Sequence, residues 1–184
     1  MMDDMESAPL FTIGHSNHPW ERFAELLAQH QIKDLVDIRR FPGSRKHPHF
    51  GKENFAHALP SLSVQYHWFE SLGGRRHKKN EDSVNLGLHN DAFRNFADYM
   101  LTDEFRAATV ELLKIAGSQR TAIMCSEGLF WRCHRRLISD YLTANGVMVQ
   151  HIMPNGKLQV HGMTSEAKVE NGMLTYPGST ELFA

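Results

Sequence analysis

The chain has 184 residues, of which 41% are hydrophobic and 22% charged, with a formal net charge of −1 and two cysteines. This size and composition predict a single globular domain, and the near-zero charge means that any binding of nucleic acid must come from local clusters. The apolar runs are far shorter than the ~20 residues of a membrane span, so we expect no membrane partner. The segment Met1–Pro9 is acidic and has no secretory signal, and cysteines are few, so we expect a cytoplasmic protein.

Short apolar runs predict the strands of the first half of the chain, and apolar residues at helical spacing predict its helices. The first strand ends at Gly14, after which Ser16 or Asn17 suits the cap of a helix and Pro19 suits its first turn. The predicted elements are, in chain order, a strand over Leu10–Ile13, a helix with Trp20, Phe23, Leu26 and Leu27 on one face, a strand over Leu35–Ile38, a helix over Lys52–Leu59 and a strand over Gln65–Phe69.

The second half of the chain continues the alternation of helices and strands. Thr102 or Asp103 suits the cap of a helix, Asn145-Gly146 supplies the left-handed residue that often ends one, and Asn155-Gly156 is typical of a hairpin turn. The predicted elements are helices over Ala92–Met100 and Asp103–Ala116, a strand over Thr121–Cys125, a helix over Cys133–Ala144 and strands over Val147–Ile152 and Leu158–His161.

This alternation predicts an α/β fold. We expect a mainly parallel central sheet of about five strands with helices on both faces and a hairpin-like C-terminal extension. The predicted domain covers residues 10–161, between a flexible N-terminus over residues 1–9 and a loosely attached tail over residues 162–184. Ligands bind at the carboxyl ends of the strands in such sheets, so the loops that follow the strands predict one common site.

Three of the loops that follow predicted strands are basic. Arginine holds phosphate through charge-assisted and often bidentate hydrogen bonds, so basic loops at one edge of a sheet predict an anion site. The alternative is that each cluster is only a solvated loop. The pattern predicts as substrate-binding residues Arg39, Arg40 and Arg45 after the second strand, Arg75 after the third and Arg135 after the fourth, with Ser16 and Asn17 after the first.

Asp37 and His15 have positions that suit supporting roles at the same edge. Asp37 lies within an apolar strand, where a buried carboxylate needs a partner, and Arg39 points to the same side two residues later. That pair has either a structural or a functional role. His15 follows the first strand beside a helix start. The other histidines are scattered and are predicted to lie mostly on the surface or behind the site, among them His47, His49, His77, His89 and His151.

The densest chemical signal is the pattern C-x-E-x5-C-H-R over Cys125–Arg135. A helix N-terminus and a nearby arginine both stabilise a thiolate, so each cysteine is a candidate nucleophile or metal ligand, with Glu127 or His134 as general acid or base. The alternative for Cys125 is a small apolar residue that closes a buried strand. The predicted catalytic residues are Cys125, Glu127, Cys133, His134, Asp37 and His15.

Three chemistries fit the two cysteines to different degrees. A cysteine phosphatase needs an arginine six residues after its cysteine, where this chain has Trp131. A zinc or iron site is open to Cys125, Cys133 and His134, with His15 or Glu127 as fourth ligand, although the adjacent Cys133 and His134 would point different ways on a helix. A redox disulfide requires that the two cysteine Cα atoms lie within about 7 Å.

Four motifs together resemble one known family. These motifs occur in order and with matching spacing over roughly residues 10–152, and they are similar to those of the domain-of-unknown-function 488 family of bacteria and archaea. They are T-I-G-H-S-N, D-I-R-R-F-P-G-S-R, L-G-G-R and C-x-E-x5-C-H-R. The resemblance implies an α/β fold and no particular reaction. It implies as signature positions His15, Asp37, Arg39, Arg45, Cys125, Glu127, Cys133, His134 and Arg135.

The last residues contain a pattern that suggests a partner protein. Ser179–Phe183 ends in Leu-Phe and resembles the peptides that bind bacterial sliding clamps, without their usual glutamine. The alternative, which we favour, is that Leu182 and Phe183 pack back on the domain.

The site residues as a set predict an enzyme that acts on a phosphate-bearing substrate, a nucleic acid or nucleotide. A non-catalytic nucleic-acid-binding module would use the same basic rim without Cys125 or Glu127, and its affinity would fall steeply with salt. A metal-dependent or redox protein built on Cys125 and Cys133 is the third hypothesis. Glu127 and Asp37 favour the enzyme, since simple phosphate binding has no use for them.

Overall fold

The computed structural model describes residues 8–43, 47–76 and 80–178. These residues form eight strands and five α-helices, joined by short 3-10 helices and loops. The strands are β1 (Leu10–Gly14), β2 (Asp34–Asp37), β3 (Gln65–Trp68), β4 (Thr121–Cys125), β5 (Val149–Ile152), β6 (Leu158–Val160), β7 (Lys168–Glu170) and β8 (Met173–Thr175). The helices are α1 (Trp20–Gln29), α2 (Lys52–Ala58), α3 (Asp91–Met100), α4 (Asp103–Ala116) and α5 (Arg135–Ala144).

The central sheet has six strands in the order β3-β2-β4-β1-β5-β6. All neighbours are parallel except β5 and β6, which are joined by the predicted turn at Asn155-Gly156, where Gly156 has a φ of +84°. The predicted α/β fold with a mainly parallel sheet is confirmed, with six strands in place of about five. The strands β7 and β8 form a separate antiparallel hairpin near the C-terminus.

The alternation of side chains along each strand divides the core between the two faces of the sheet. On one face, Phe11 and Ile13 of β1 pack with residues of α1 and α2. On the other face, Leu10 of β1 and Ile123 of β4 pack with residues of α3, α4 and α5. The predicted helices on both faces are therefore confirmed. In the part of the chain that the structure describes, no helix is both long and apolar enough to cross a membrane.

The start of α4 and the C-terminal end of α5 match the sequence prediction, whereas the start of α1 does not. Thr102 caps α4 by accepting a hydrogen bond from the Phe105 amide, and Asn145 ends α5 before Gly146, whose φ is +80°. The prediction that Ser16 or Asn17 caps α1 was wrong. Pro19 occupies the cap position without a side-chain hydrogen bond, because the loop after β1 turns through a left-handed Ser16 before the helix begins.

The segment over residues 162–178 is attached more firmly than the sequence suggested. Leu174 and Tyr176 are buried, the Tyr176 hydroxyl donates to Asp140 Oδ2 at 2.9 Å, and the Tyr176 amide donates to Asn85 Oδ1 at 2.9 Å. These contacts join Tyr176 to α5 and to the loop before α3, a packing that the sequence did not indicate, since strands of three residues are too short to show a periodic pattern. The clamp-like motif over Ser179–Phe183 lies outside the described residues.

The Tyr176 hydrogen bond provides a test of this attachment. We expect Tyr176→Phe to lower the free energy of unfolding by about 1–3 kcal/mol, because it removes a donor from the buried Asp140 carboxylate. Urea denaturation measures the change, with Tyr141→Phe, at a half-buried tyrosine of α5, as the control. Equal stability of the Tyr176→Phe protein and the wild type would contradict this docking of the segment.

Candidate active site

A cleft of ≈ 850 Å³ lies at the carboxyl edge of the parallel strands. Because β4 lies between β1 and β2, the loops after these three strands meet there, and the loop after β3 completes the wall. The sheet therefore brings together most of the predicted site residues. Those that line the cleft are His15, Ser16, Arg39, Arg40, Arg75, Cys125, Glu127, Cys133 and His134.

Four predicted site residues are not among the described lining of this cleft. Asp37 is fully buried within β2, and Arg135 is only 1% exposed at the start of α5. Asn17 is exposed, and its Oδ1 accepts a hydrogen bond from the Ser16 hydroxyl at 3.3 Å. Arg45 lies outside the described residues. Asp37 and Arg135 can therefore influence the cleft only through their neighbours.

Asp37 and Arg39 form a buried bidentate ion pair. Arg39 Nε donates to Asp37 Oδ1 at 2.9 Å and Arg39 Nη2 donates to Oδ2 at 2.6 Å. The Arg39 amide and the Tyr66 hydroxyl supply two further hydrogen bonds to the carboxylate. Buried charges are tolerated when they are paired and hydrogen-bonded in this way. The guanidinium of Arg39 is therefore committed largely to Asp37, and the predicted role of Arg39 in holding substrate has no support in these contacts.

His15 is held as a neutral ring with a defined tautomer. Arg39 Nη1 lies 3.3 Å from His15 Nε2, and since a guanidinium can only donate, Nε2 is an acceptor. The proton is then on Nδ1, which donates to the Ser16 carbonyl at 2.8 Å. Burial and the positive charge of Arg39 lower the pKa of His15 to about 4. His15 is therefore uncharged at neutral pH.

Cys125, Cys133 and His134 converge at the floor of the cleft. Their ligand atoms all lie within 4.8 Å of one another, and Cys125 Sγ is 4.0 Å from His134 Nδ1. The expectation that Cys133 and His134 point different ways was wrong, because Cys133 precedes α5 in an extended conformation with φ −140° and ψ 163°. The second ring nitrogen of His134, Nε2, donates to the Ile38 carbonyl at 3.2 Å, which leaves Nδ1 facing the cysteines. Nδ1 donates to a Cys125 thiolate when the ring is protonated and offers a lone pair when the ring is neutral.

Gly74 makes room for the imidazole of His134. A Cβ atom at Gly74 would lie 2.4 Å from His134 Nδ1, closer than any non-bonded contact allows. In the sequence, Gly74 appeared only as part of the L-G-G-R motif. The structure gives a reason for glycine at this position, which is the close approach of the loop after β3 to the ring.

The two thiols share hydrogen bonds that separate their pKa values. A hydrogen bond from Cys133, with further contributions from His134 and Arg135, lowers the pKa of Cys125 well below its ordinary value. Burial and the neighbouring Cys125 raise the pKa of Cys133 well above its ordinary value. The first proton lost from the pair therefore leaves Cys125, and Cys133 keeps its proton as a donor to that thiolate.

Arg135 lies behind the cysteines, where its donors are used within the protein. Its Nε and its amide donate to Cys133 Sγ at 3.4 Å and 3.3 Å, and Nη2 donates to the Glu127 carbonyl. The absence of a side chain at Gly14 leaves room for this contact, because a Cβ atom at Gly14 would overlap the Glu127 carbonyl. Among residues 8–43, 47–76 and 80–178, Arg135 has no carboxylate partner in an ion pair. The prediction that Arg135 holds substrate therefore has no support in its contacts.

A chain of buried polar groups leads from Arg135 to Asp140. Arg135 Nη1 donates to Thr12 Oγ1 at 3.2 Å, so the Thr12 proton is directed to His151 Nδ1 at 2.7 Å. His151 Nε2 then donates to His161 Nδ1 at 2.9 Å, and His161 Nε2 donates to Asp140 Oδ1 at 2.8 Å. Burial, with the neighbouring His161 and Arg135, lowers the pKa of His151 to about 3. Both histidines are buried, although the sequence offered no signal that linked them.

The rim of the cleft contains functional groups that the sequence reasoning passed over. Arg132, Ser126 and His47 line the cleft together with the predicted Arg40 and Arg75. Arg132 is adjacent to the Cys133-His134 pair in the sequence, which was the one available signal, whereas the placement of His47 depends on the fold. Arg75 and Arg132 are exposed, and Arg40 lies 3.6 Å from Glu70 in a partly exposed ion pair.

The sequence model of one family matches residues 19–142. The chain belongs to the family described as Domain of unknown function DUF488. This result confirms the family to which the four motifs pointed. The matched region of this DUF488 protein contains the cleft loops after β2, β3 and β4, while the Thr12–Asn17 motif precedes it. No curated protein and no solved structure matches the chain.

Gly74 offers a test of the packing around His134. We expect Gly74→Ala to lower the free energy of unfolding by about 1–3 kcal/mol, because the added Cβ must displace the ring. Gly43→Ala is the matched control in the same cleft, since a Cβ at Gly43 meets no atom within 4 Å. Urea denaturation compares the two proteins, and a Gly74→Ala protein as stable as the control would contradict this close contact.

The charge state of His15 can be measured directly. We expect nuclear magnetic resonance of the ring nitrogens to show the proton on Nδ1 and a pKa near 4 in place of 6.5. Because the folded pKa is lowered, unfolding takes up a proton between these two values, so His15 makes the protein less stable as the pH falls through this range. A titration of His15 near pH 6.5 in the folded protein would contradict the assigned tautomer and its contact with Arg39.

Proposed function

We propose that this DUF488 protein is an enzyme that acts on a phosphate-bearing substrate, a nucleotide or nucleic acid, in the cleft at the carboxyl edge of the sheet. One observation carries the proposal. Arg40, Arg75 and Arg132 line the same cleft whose floor holds Cys125 and His134. Positive groups at the rim attract and orient a phosphate, and reactive groups at the floor meet whatever the phosphate is attached to.

The charge of the cleft favours an anionic ligand. Arg39 also lines it, but its charge is compensated by Asp37 at 2.6 Å. Arg40 is partly compensated by Glu70 at 3.6 Å, so Arg75 and Arg132 are the main arginines that face Glu127, the one carboxylate among the described lining residues. Each hydrogen bond between an arginine and a phosphate contributes about 1.5–3 kcal/mol to binding. Two such arginines, with Arg40 beside them, outweigh the repulsion of one exposed carboxylate.

The size and the rim of the cleft suit a nucleotide. A volume of ≈ 850 Å³ falls within the range of about 300–1,000 Å³ that small-molecule sites occupy. Phe41 lines the cleft and is 63% exposed, so its ring is accessible to a base that stacks on it. Stacking on an exposed aromatic ring is a common way to hold a base without selecting its sequence.

Glu127 favours catalysis over simple binding. A carboxylate beside a phosphate weakens binding, so its placement in the cleft has a use only if it moves a proton or orients a reacting group. Cys125 and His134 would supply the remaining chemistry, Cys125 as nucleophile or as metal ligand. We place this chemistry in the cytoplasm, whose reducing conditions would keep both cysteines as the free thiols of this structure.

Binding and turnover can be tested separately. We expect Arg75→Ala and Arg132→Ala each to weaken the binding of nucleoside monophosphates and of a short single-stranded oligonucleotide by roughly 10- to 100-fold. Isothermal titration measures the affinity, and Arg106→Ala is the control, since Arg106 is paired with Asp103 on α4. Affinities that none of the cleft arginines changes would contradict the proposed anion site.

Turnover separates the enzyme from a non-catalytic binding module. We expect Glu127→Gln to bind the oligonucleotide or nucleotide at least as well as the wild type and to form product more slowly by roughly 100-fold or more. Mass spectrometry of the substrate after incubation measures the product. A wild-type protein that binds these ligands with a steep salt dependence and converts none of them would favour the binding module instead.

A further inference from the structure

Three buried side chains at the floor of the cleft have the composition of a metal site. Cys125, Cys133 and His134 are 6%, 5% and 8% exposed, and their donor atoms lie within 4.8 Å of one another. Among the described residues, this is the one group of three or more such side chains close enough to hold an ion together. Two sulfurs and one imidazole nitrogen are soft and borderline donors. Such donors bind zinc, whereas magnesium and calcium prefer oxygen ligands.

We propose that Cys125, Cys133 and His134 bind one zinc ion, with a fourth coordination position open to the cleft. This inference goes beyond the proposed function and does not depend on it. If zinc binds here, Cys125 acts as a ligand and not as the nucleophile.

The distances fit a tetrahedral ion after small movements of side chains. Zinc lies about 2.3 Å from sulfur and about 2.0–2.1 Å from nitrogen, which places tetrahedral ligand atoms roughly 3.5–3.8 Å apart. Cys125 Sγ and His134 Nδ1 are 4.0 Å apart, and no pair in the group exceeds 4.8 Å. Rotation about the side-chain bonds can close such gaps without movement of the backbone.

The surroundings orient these donors toward one point. His134 donates from Nε2 to the Ile38 carbonyl, which fixes the tautomer whose Nδ1 lone pair can coordinate. Arg135 donates from Nε and from its amide to Cys133 Sγ, which stabilises negative charge on that sulfur. A histidine that binds a metal typically donates a hydrogen bond from its other ring nitrogen, and the remaining ligand atoms typically accept hydrogen bonds from nearby groups. Neither arrangement is needed if the cysteines only fill the core.

The fourth position distinguishes this site from a purely structural one. Structural zinc sites usually have four protein ligands, whereas catalytic sites have three and leave one position for water or substrate. The sequence suggested His15 or Glu127 as the fourth ligand, but neither belongs to the group of donor atoms that lie close together. All three members of the group line the cleft beside Arg75 and Arg132. A ligand in the open position would therefore lie where the proposed phosphate binds.

Metal analysis of the full chain tests the proposal without any substrate. We expect the untagged protein, reduced and reconstituted with zinc sulfate, to retain about one zinc per chain after gel filtration, measured by plasma mass spectrometry. Cys125→Ser, Cys133→Ser and His134→Gln should each weaken zinc binding by at least about 100-fold in competition with a chromophoric chelator, since even outer contacts change affinity by 10- to 100-fold. His57→Gln, at an exposed histidine of α2, should change nothing.

A second measurement on the wild type keeps the test decisive if a variant fails to fold. Replacement of zinc by cobalt should produce the intense visible bands of a tetrahedral cobalt–thiolate site and protect both thiols from alkylation until a chelator is added. Less than about 0.1 zinc per reconstituted chain, or zinc that the Cys125→Ser/Cys133→Ser protein retains, would overturn the proposal. Because no substrate is present, that failure would leave the proposed phosphate chemistry standing, while stoichiometric zinc without turnover would contradict only the proposed function.

Discussion

The arrangement of the cleft depends on the buried guanidinium of Arg135. A buried cation is costly unless its charge is compensated, and Arg135 has no carboxylate in an ion pair among the residues that the structure describes. Its donors reach Cys133 Sγ, Thr12 Oγ1 and the Glu127 carbonyl. One side chain therefore joins β1, the loop after β4 and the start of α5. The guanidinium contacts the sulfur of Cys133, and Cys133 donates to Cys125, the thiol that loses its proton first, so the negative charge of the cysteine pair lies near Arg135.

Two buried polar networks flank the floor of the cleft and hold its groups in single orientations. In one, Asp37 binds Arg39, and Arg39 sets the tautomer of His15. In the other, hydrogen bonds lead from Arg135 through Thr12 and two histidines to Asp140. Such networks are stabilising only when every member is satisfied, so they make the site rigid and sensitive to substitution behind it. A phosphate or a metal ion would therefore meet groups that are already oriented.

The order of the strands explains why this chemistry gathers at one place. Insertion of β4 between β1 and β2 brings the Cys125 loop against the His15 loop, and the His15 and Ser16 amides donate to the carbonyls of Cys125 and Ser126 at 3.0 Å and 2.8 Å. Membership of the DUF488 family is in keeping with this placement, since the cleft loops after β2, β3 and β4 lie within the matched region. The family description contains no reaction, so the proposed chemistry rests on the geometry of the cleft.

The sequence alone determined those features that depend on near neighbours in the chain. Apolar runs located β1, β2, β4 and β5, aromatic residues located β3, Thr102 was recognisable as a cap, and the strand–loop positions of His15 and Cys125 predicted one shared edge. Contacts between distant residues were decided only by the tertiary structure. Arg39 and Arg135 were predicted as substrate ligands, yet partners at Asp37 and Thr12 use their donors. The physical reason is that a side chain's charge follows from its identity, whereas its hydrogen-bond partners depend on which strands and loops pack against it.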